Sequence, residues 1–131
     1  MANTMICLDT SILIDFFRKT KKENTAFFKL SAQQNLFSVS VITEYEILTV
    51  ATADQTPFWQ AFFDKMVILP FDSQANHHAI AIYQDLKSKS KLIEIPDILI
   101  ASTAINHQLP LATLNTKHFS RINNLILLEI N

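Results

Sequence analysis

The chain has 131 residues, one cysteine, no glycine and a formal net charge of −1, which suggests a single domain over 1–131 that can bury a core without disulfide or metal staples. The lone cysteine excludes an internal disulfide and a cysteine-based zinc cluster, and the missing glycines exclude a P-loop and a dinucleotide fingerprint. Near-neutral charge argues against a DNA reader that relies on bulk basicity, but not against a nuclease whose acidic site offsets its basic patches.

The first apolar run, Met5 to Leu8, ends at Asp9-Thr10-Ser11 and reads as a strand followed by a helix start. Its cysteine, Cys7, reads as an inert buried thiol. Asp9 comes too early for a secretory leader, and no apolar stretch approaches a membrane span, so a soluble cytoplasmic protein is expected. Met1 and Met5 are both candidate starts. Ile12 to Phe17 continue as a buried helix that stops at the basic cluster Arg18-Lys19-Thr20-Lys21-Lys22. Glu23 to Gln34 read as a second helix and Leu36 to Ser40 as a strand. Ser40 caps a helix to about Thr52, and Pro57 opens another through Met66. Val67 to Leu69 form a strand closed by Pro70. Asp72 caps a long helix to about Lys89, and Pro96 fits the first turn of the next, to about His107. Leu111 to Thr113 form a strand, a turn follows around Lys117, and Leu125 to Ile130 form the last strand. Strands alternating with helices predict an α/β fold with a mostly parallel central sheet and helices on both faces, in three layers. In such sheets sites lie beyond the carboxyl ends of the strands, and the first strand ends at Asp9.

Three carboxylates stand where apolar residues belong. Successive helix residues turn by roughly 100°. After Ser40 the apolar positions place Glu44 inside the buried face and Glu46 outside it, towards water. Asp97 lies opposite the polar side formed by Ser102, Thr103 and Asn106. Asp9 ends a buried strand. Carboxylates are rarely buried unless paired, hydrogen-bonded or bound to metal, and oxygen donors without cysteine favour a hard ion such as magnesium or manganese. Each acid also has a plainer role: Asp9 as a helix cap, Asp97 as an acid favoured by the helix dipole, Glu44 as the partner of a lysine. Asp15 reads as structural.

The run Ile6-Cys7-Leu8-Asp9-Thr10-Ser11-Ile12-Leu13-Ile14-Asp15 resembles the first motif of PIN domains, above all VapC-type toxins. Ser40-Val41-Ile42-Thr43-Glu44-Tyr45-Glu46-Ile47 resembles the second, Ile95-Pro96-Asp97-Ile98-Leu99-Ile100-Ala101 the third, and Leu111-Ala112-Thr113-Leu114-Asn115-Thr116-Lys117-His118-Phe119 the fourth. They occur in family order along nearly the whole chain. The resemblance implies a metal-dependent endoribonuclease, the toxin of a type II toxin–antitoxin pair. It implies Asp9, Glu44 and Asp97 as catalytic metal ligands for Mg2+ or Mn2+, with Ser11, Thr113 and Asn115 in support. Many relatives carry an aspartate where Asn115 stands, so a second metal is in question. The resemblance further implies an RNA substrate, a cognate antitoxin whose tail covers the site, and a homodimer.

The implied chemistry is metal-assisted hydrolysis of a phosphodiester. Lys117 and Arg121, near the fourth motif, are candidate RNA contacts, and the lysine clusters at 18–22 and 87–91 are either phosphate contacts or solvated helix ends. His77 and His78 are adjacent, so on a helix they make a poor metal pair; His118 reads as a surface residue. Adjacent helix residues do not easily share one core contact, so one ring of each doublet, Phe16-Phe17, Phe27-Phe28 and Phe62-Phe63, is a candidate for a groove or interface, with core packing the expected fate of most of them. Two other readings stay open. One is a non-catalytic PIN-like domain that binds RNA or protein, favoured by the neutral Asn115. The other is a receiver-like signalling domain, disfavoured because the aspartate after Pro96 opens a helix.

Overall fold

The computed structural model describes residues 5–33 and 36–130. Five strands, β1 (Ile6–Leu8), β2 (Phe37–Ser40), β3 (Val67–Leu69), β4 (Leu111–Ala112) and β5 (Leu127–Leu128), make one sheet in the order β3-β2-β1-β4-β5. Every pairing is parallel, with Leu8 opposite Val39 on one side and Ala112 on the other. Parallel neighbours need crossovers, and these are supplied by α1 (Thr10–Arg18), α2 (Ala26–Ser31), α3 (Val41–Val50), α4 (Thr56–Asp64), α5 (Ser73–Ser88), α6 (Ile95–Asn106) and the short α7 (Thr116–Phe119).

Side chains alternate across the central strands, so the sheet divides two apolar layers. Ile6, Leu8, Val39 and Ala112 meet Ile12, Leu13, Leu30, Trp59 and Phe63 on one face. Cys7, Leu69 and Leu111 meet Leu86, Ile100, Ala104 and Phe119 on the other. The three-layer α/β expectation holds, with a sheet that is wholly parallel. Burial pushes the Cys7 thiol up to about 12, as an inert thiol requires.

Three helix starts are fixed by side-chain caps. The Ser40 hydroxyl accepts from the Ile42 amide, and Asp72 Oδ1 accepts from Ala75. The segment expected as a helix from Glu23 differs. Lys22–Asn24 form a single 3-10 turn, and Thr25 caps α2 by accepting from the Phe28 amide. That cap captures the helix start, which propensity alone does not locate. Gln34, the expected end of that helix, lies outside the described residues. Pairing in the last strand is confined to Leu127–Leu128. In this glycine-free chain α6 is closed by Gln108 at φ 57°, and Leu109 N bonds Ala104 O in the helix-terminating pattern that usually recruits glycine.

The aromatic doublets serve one layer. Phe16 packs edge-on to Phe27, Phe17 lies against Trp59, and Phe62 touches Phe27 and Phe58. Phe28, at 47 % exposure, is the ring left outward.

Candidate active site

Asp9 leaves β1 at the middle of the sheet, and its amide donates to Ala112 O in β4. The carboxylate is only 2 % exposed and does not cap α1. Its Oδ2 instead accepts from Ser11 Oγ at 2.7 Å and Thr113 Oγ1 at 2.8 Å. Those hydroxyls are themselves held: the Leu114 amide donates to Ser11 Oγ and the Asn115 amide to Thr113 Oγ1. One oxygen of Asp9 is thus fixed by two donors, while Oδ1 has no hydrogen bond among the described residues.

Asp97 enters from the first turn of α6, behind Pro96. Burial, then the negative charges of Asp9 and Glu46, raise its carboxyl from an ordinary 3.8 to about 6; Glu94 adds to this and His118 opposes it. A helix N-terminus should favour the anion by about 0.3–1 kcal/mol, which is less than one pKa unit at about 1.36 kcal/mol each. Burial and crowding by like charge therefore outweigh the dipole.

The third acid is Glu46. It is partly buried, and its Oε1 accepts from Thr10 Oγ1 at 2.7 Å. This corrects the sequence-based expectation, which sent Glu46 to water and chose Glu44. Glu44 makes no hydrogen bond or ion pair among the described residues and is absent from the charges acting on Asp97. The helix-face argument failed because α3 carries apolar residues on more than one side. Ile47 is buried in the core, Ile42 packs towards the opposite layer, and Tyr45 and Val50 are exposed. The available signal was Thr43, a fully buried polar residue three positions before Glu46 and so on its face.

The two acid-bearing helices are tied together inside the core. Ser40 Oγ, at the head of α3, lies 3.1 Å from Thr103 Oγ1 in α6, and both residues are buried. The remaining candidates divide. Asn115 is exposed and supports the site through its backbone amide rather than its side chain. Arg121 is held at the surface by the carbonyls of Lys91 and Leu92, so it ties down the approach to α6. Lys117 is exposed, with no ion pair among the described residues. His118 is closer to the chemistry than expected, since its charge reaches Asp97. In the basic cluster, Lys22 is engaged with the carbonyls of Phe16, Phe17 and Lys19 rather than free for phosphate.

The donor set consists of carboxylate oxygens that repel one another, which suits a hard divalent cation. Among the described residues, no three His, Cys, Asp or Glu groups are close enough in their present positions to hold one ion. Asp9 and Glu46 are near enough to Asp97 to act on its charge, without hydrogen bonding to it.

A wholly parallel sheet with a buried carboxylate at the carboxyl end of its central strand defines a class: α/β proteins whose sites lie in the crevice beyond the strand ends. The PIN-domain family model matches residues 6–125. Ribonuclease VapC1 of Methanocaldococcus jannaschii is 33% identical over 117 residues, 89% of this chain and 80% of that protein. The crystal structure of VapBC2 from Rickettsia felis bound to a promoter DNA fragment superposes with a TM-score of 0.82 at 25% identity, over 98% of this chain and 100% of the other. A toxin–antitoxin complex from Klebsiella pneumoniae gives 0.75 at 28% identity, over 92% and 95%. The chain belongs to the PIN-domain family, in its VapC group.

Proposed function

We propose that this chain is a metal-dependent endoribonuclease and the toxin half of a type II toxin–antitoxin pair. The observation that carries the reading is the buried Asp9 carboxylate, clamped by Ser11 and Thr113 at the end of the central strand, in a chain that the PIN-domain family model matches over residues 6–125. Asp9, Asp97 and Glu46 are the residues that would hold the cation, with Mg2+ as the physiological ion and Mn2+ able to replace it. A divalent ion held there would supply polarisation of a phosphate oxygen and a lowered pKa for a bound water.

The chain's own residues prepare that site. Ser11 and Thr113 saturate one oxygen of Asp9, leaving the other for the ion. Asp97, raised first by burial and then by Asp9 and Glu46, would have to lose its proton to serve as a ligand. Glu46 stands at the edge of a groove lined by Ile14, Phe17, Val50 and Trp59. Lys117 is free to meet an RNA phosphate.

The partner proposed is a cognate antitoxin, in keeping with the toxin–antitoxin complexes among similar structures. We also propose a homodimer, supported by Ile80, Tyr83 and Ile95, which leave an apolar patch exposed beside the α5–α6 groove. No helix among the described residues is long and apolar enough to cross a membrane; we assign the protein to the cytoplasm and its fold to a single domain.

The test is cleavage of a cellular RNA pool by purified protein with Mg2+, with Mn2+ and with chelator, beside Asp97→Asn. Discrete fragments that require metal and disappear in the variant are expected. Equal cleavage by Asp97→Asn removes the carboxylate assignment. Metal binding without cleavage under any condition turns the reading to a non-catalytic PIN domain.

A further inference from the structure

Thr10 follows Asp9 directly and is the first residue of α1. It donates no carboxylate and lies outside the proposed ligand set, yet its hydroxyl stands between two elements of the site. Thr10 Oγ1 is 2.7 Å from Glu46 Oε1 and 3.0 Å from Thr43 Oγ1. A hydroxyl has one proton to give and two lone pairs to receive with. An ionised carboxylate is the stronger acceptor, so Glu46 takes the Thr10 proton. Thr43 Oγ1 is the other acceptor within reach of the same hydroxyl.

Thr10 thus stands between the two, with a contact to each. Thr43 is 0% exposed, and among the described residues its side chain has no other hydrogen-bond partner. A buried hydroxyl needs a partner, and Thr10 supplies it. Glutamate has three side-chain torsions to restrain, and nothing else among the described residues bonds the Glu46 carboxylate. Asp9 shows the same design, with one oxygen fixed by hydroxyls and the other unbonded.

We propose that Thr10 is a positioning residue: oriented by buried Thr43, it holds one oxygen of Glu46 so that the other serves the cation shared with Asp9 and Asp97. The inference depends on the carboxylate reading above and extends it to two uncharged residues. Partners of this kind orient metal-binding side chains without touching the metal.

The experiment compares the full chain with Thr10→Val, Thr10→Ser, Thr43→Val and Glu46→Gln. Mn2+ binding is measured by calorimetry, RNA cleavage by kcat and KM, and folding by melting temperature without metal. Thr10→Val is expected to weaken Mn2+ binding and lower kcat by about tenfold or more, as loss of such a partner usually does. KM for RNA should hold, and Thr10→Ser should recover both losses. Thr43→Val should show a smaller loss of the same kind. Wild-type Mn2+ affinity in folded Thr10→Val, beside a defective Glu46→Gln, overturns the positioning role while leaving the carboxylate site intact. Thr10→Ser no better than Thr10→Val overturns it too, since the hydroxyl is then not what matters. If Glu46→Gln itself binds and cleaves normally, the carboxylate reading fails at Glu46 and the inference fails with it. Should Thr10→Val not fold, Thr43→Val decides by the same criteria, and unchanged Mn2+ affinity there overturns the proposal.

Discussion

Asp97 occupies a helix N-terminus, where an anion is ordinarily favoured, yet its carboxyl is raised to about 6. The consequence for stability follows from its sign. A carboxyl whose folded value lies above its unfolded value, about 3.9, stabilises the fold while protonated. That contribution is present in full below the unfolded value and is lost as pH rises through about 6. Metal-free protein thus carries a destabilising charge at neutral pH, which a bound cation relieves. Melting curves with and without Mg2+ at pH 5 and pH 7.5 should show the larger metal-induced rise at pH 7.5. An equal rise at both would mean that Asp97 does not exchange its proton for the ion. Asp9 and Asp97 were legible in sequence because each breaks an apolar pattern on one side of its element. Glu46 was not, because its helix has no clean polar side against which to judge an exception. The residues that hold Asp9, Ser11 nearby and Thr113 far along the chain, became visible only through motif resemblance, since their spacing predicts no contact.

At the scale of elements, local chemistry explains most boundaries. Ser40 and Asp72 cap where a cap was expected, and Pro57 and Pro96 stand in first turns. The exception is the stretch between α1 and α2. There Lys22 reaches back to three carbonyls at the end of α1 and lies 4.9 Å from the Phe16 ring centre. Basic groups favour helix C-termini, so this lysine is a brace within a sequence that reads as a loose basic cluster. Asp15 completes the corner. Burial works against its charge, but Lys19 and the Ala26 amide outweigh that and hold it below the ordinary value. Lys22→Met should lower stability by about 1 kcal/mol in chemical denaturation, with Mn2+ affinity unchanged. A loss of RNA binding without loss of stability would return Lys22 to the substrate.

Across the whole molecule, the site is built onto a frame that does not need it. Both apolar layers close on the sheet through their own side chains, with Leu8, Ile12, Ile100 and Leu111 fully buried. Removing metal should therefore leave the protein folded, unlike domains whose metal substitutes for a core. Circular dichroism in excess chelator should keep its helical signal and a single cooperative melt; collapse of that signal would make the ion structural. The sheet order was beyond sequence reasoning. Alternation of strands and helices implies parallel pairing, but not that β1 sits centrally between β2 and β4.

That central position separates the parts of the site in time. One of the two hydroxyls that fix Asp9 belongs to Thr113, 104 residues further on, and the strand leading to it, β4, follows all three acids. Translation proceeds from the N-terminus, so Asp9, Glu46 and Asp97 have all been made before the clamp on Asp9 exists. A ribosome making this protein carries an unfinished site until it has passed the fourth strand.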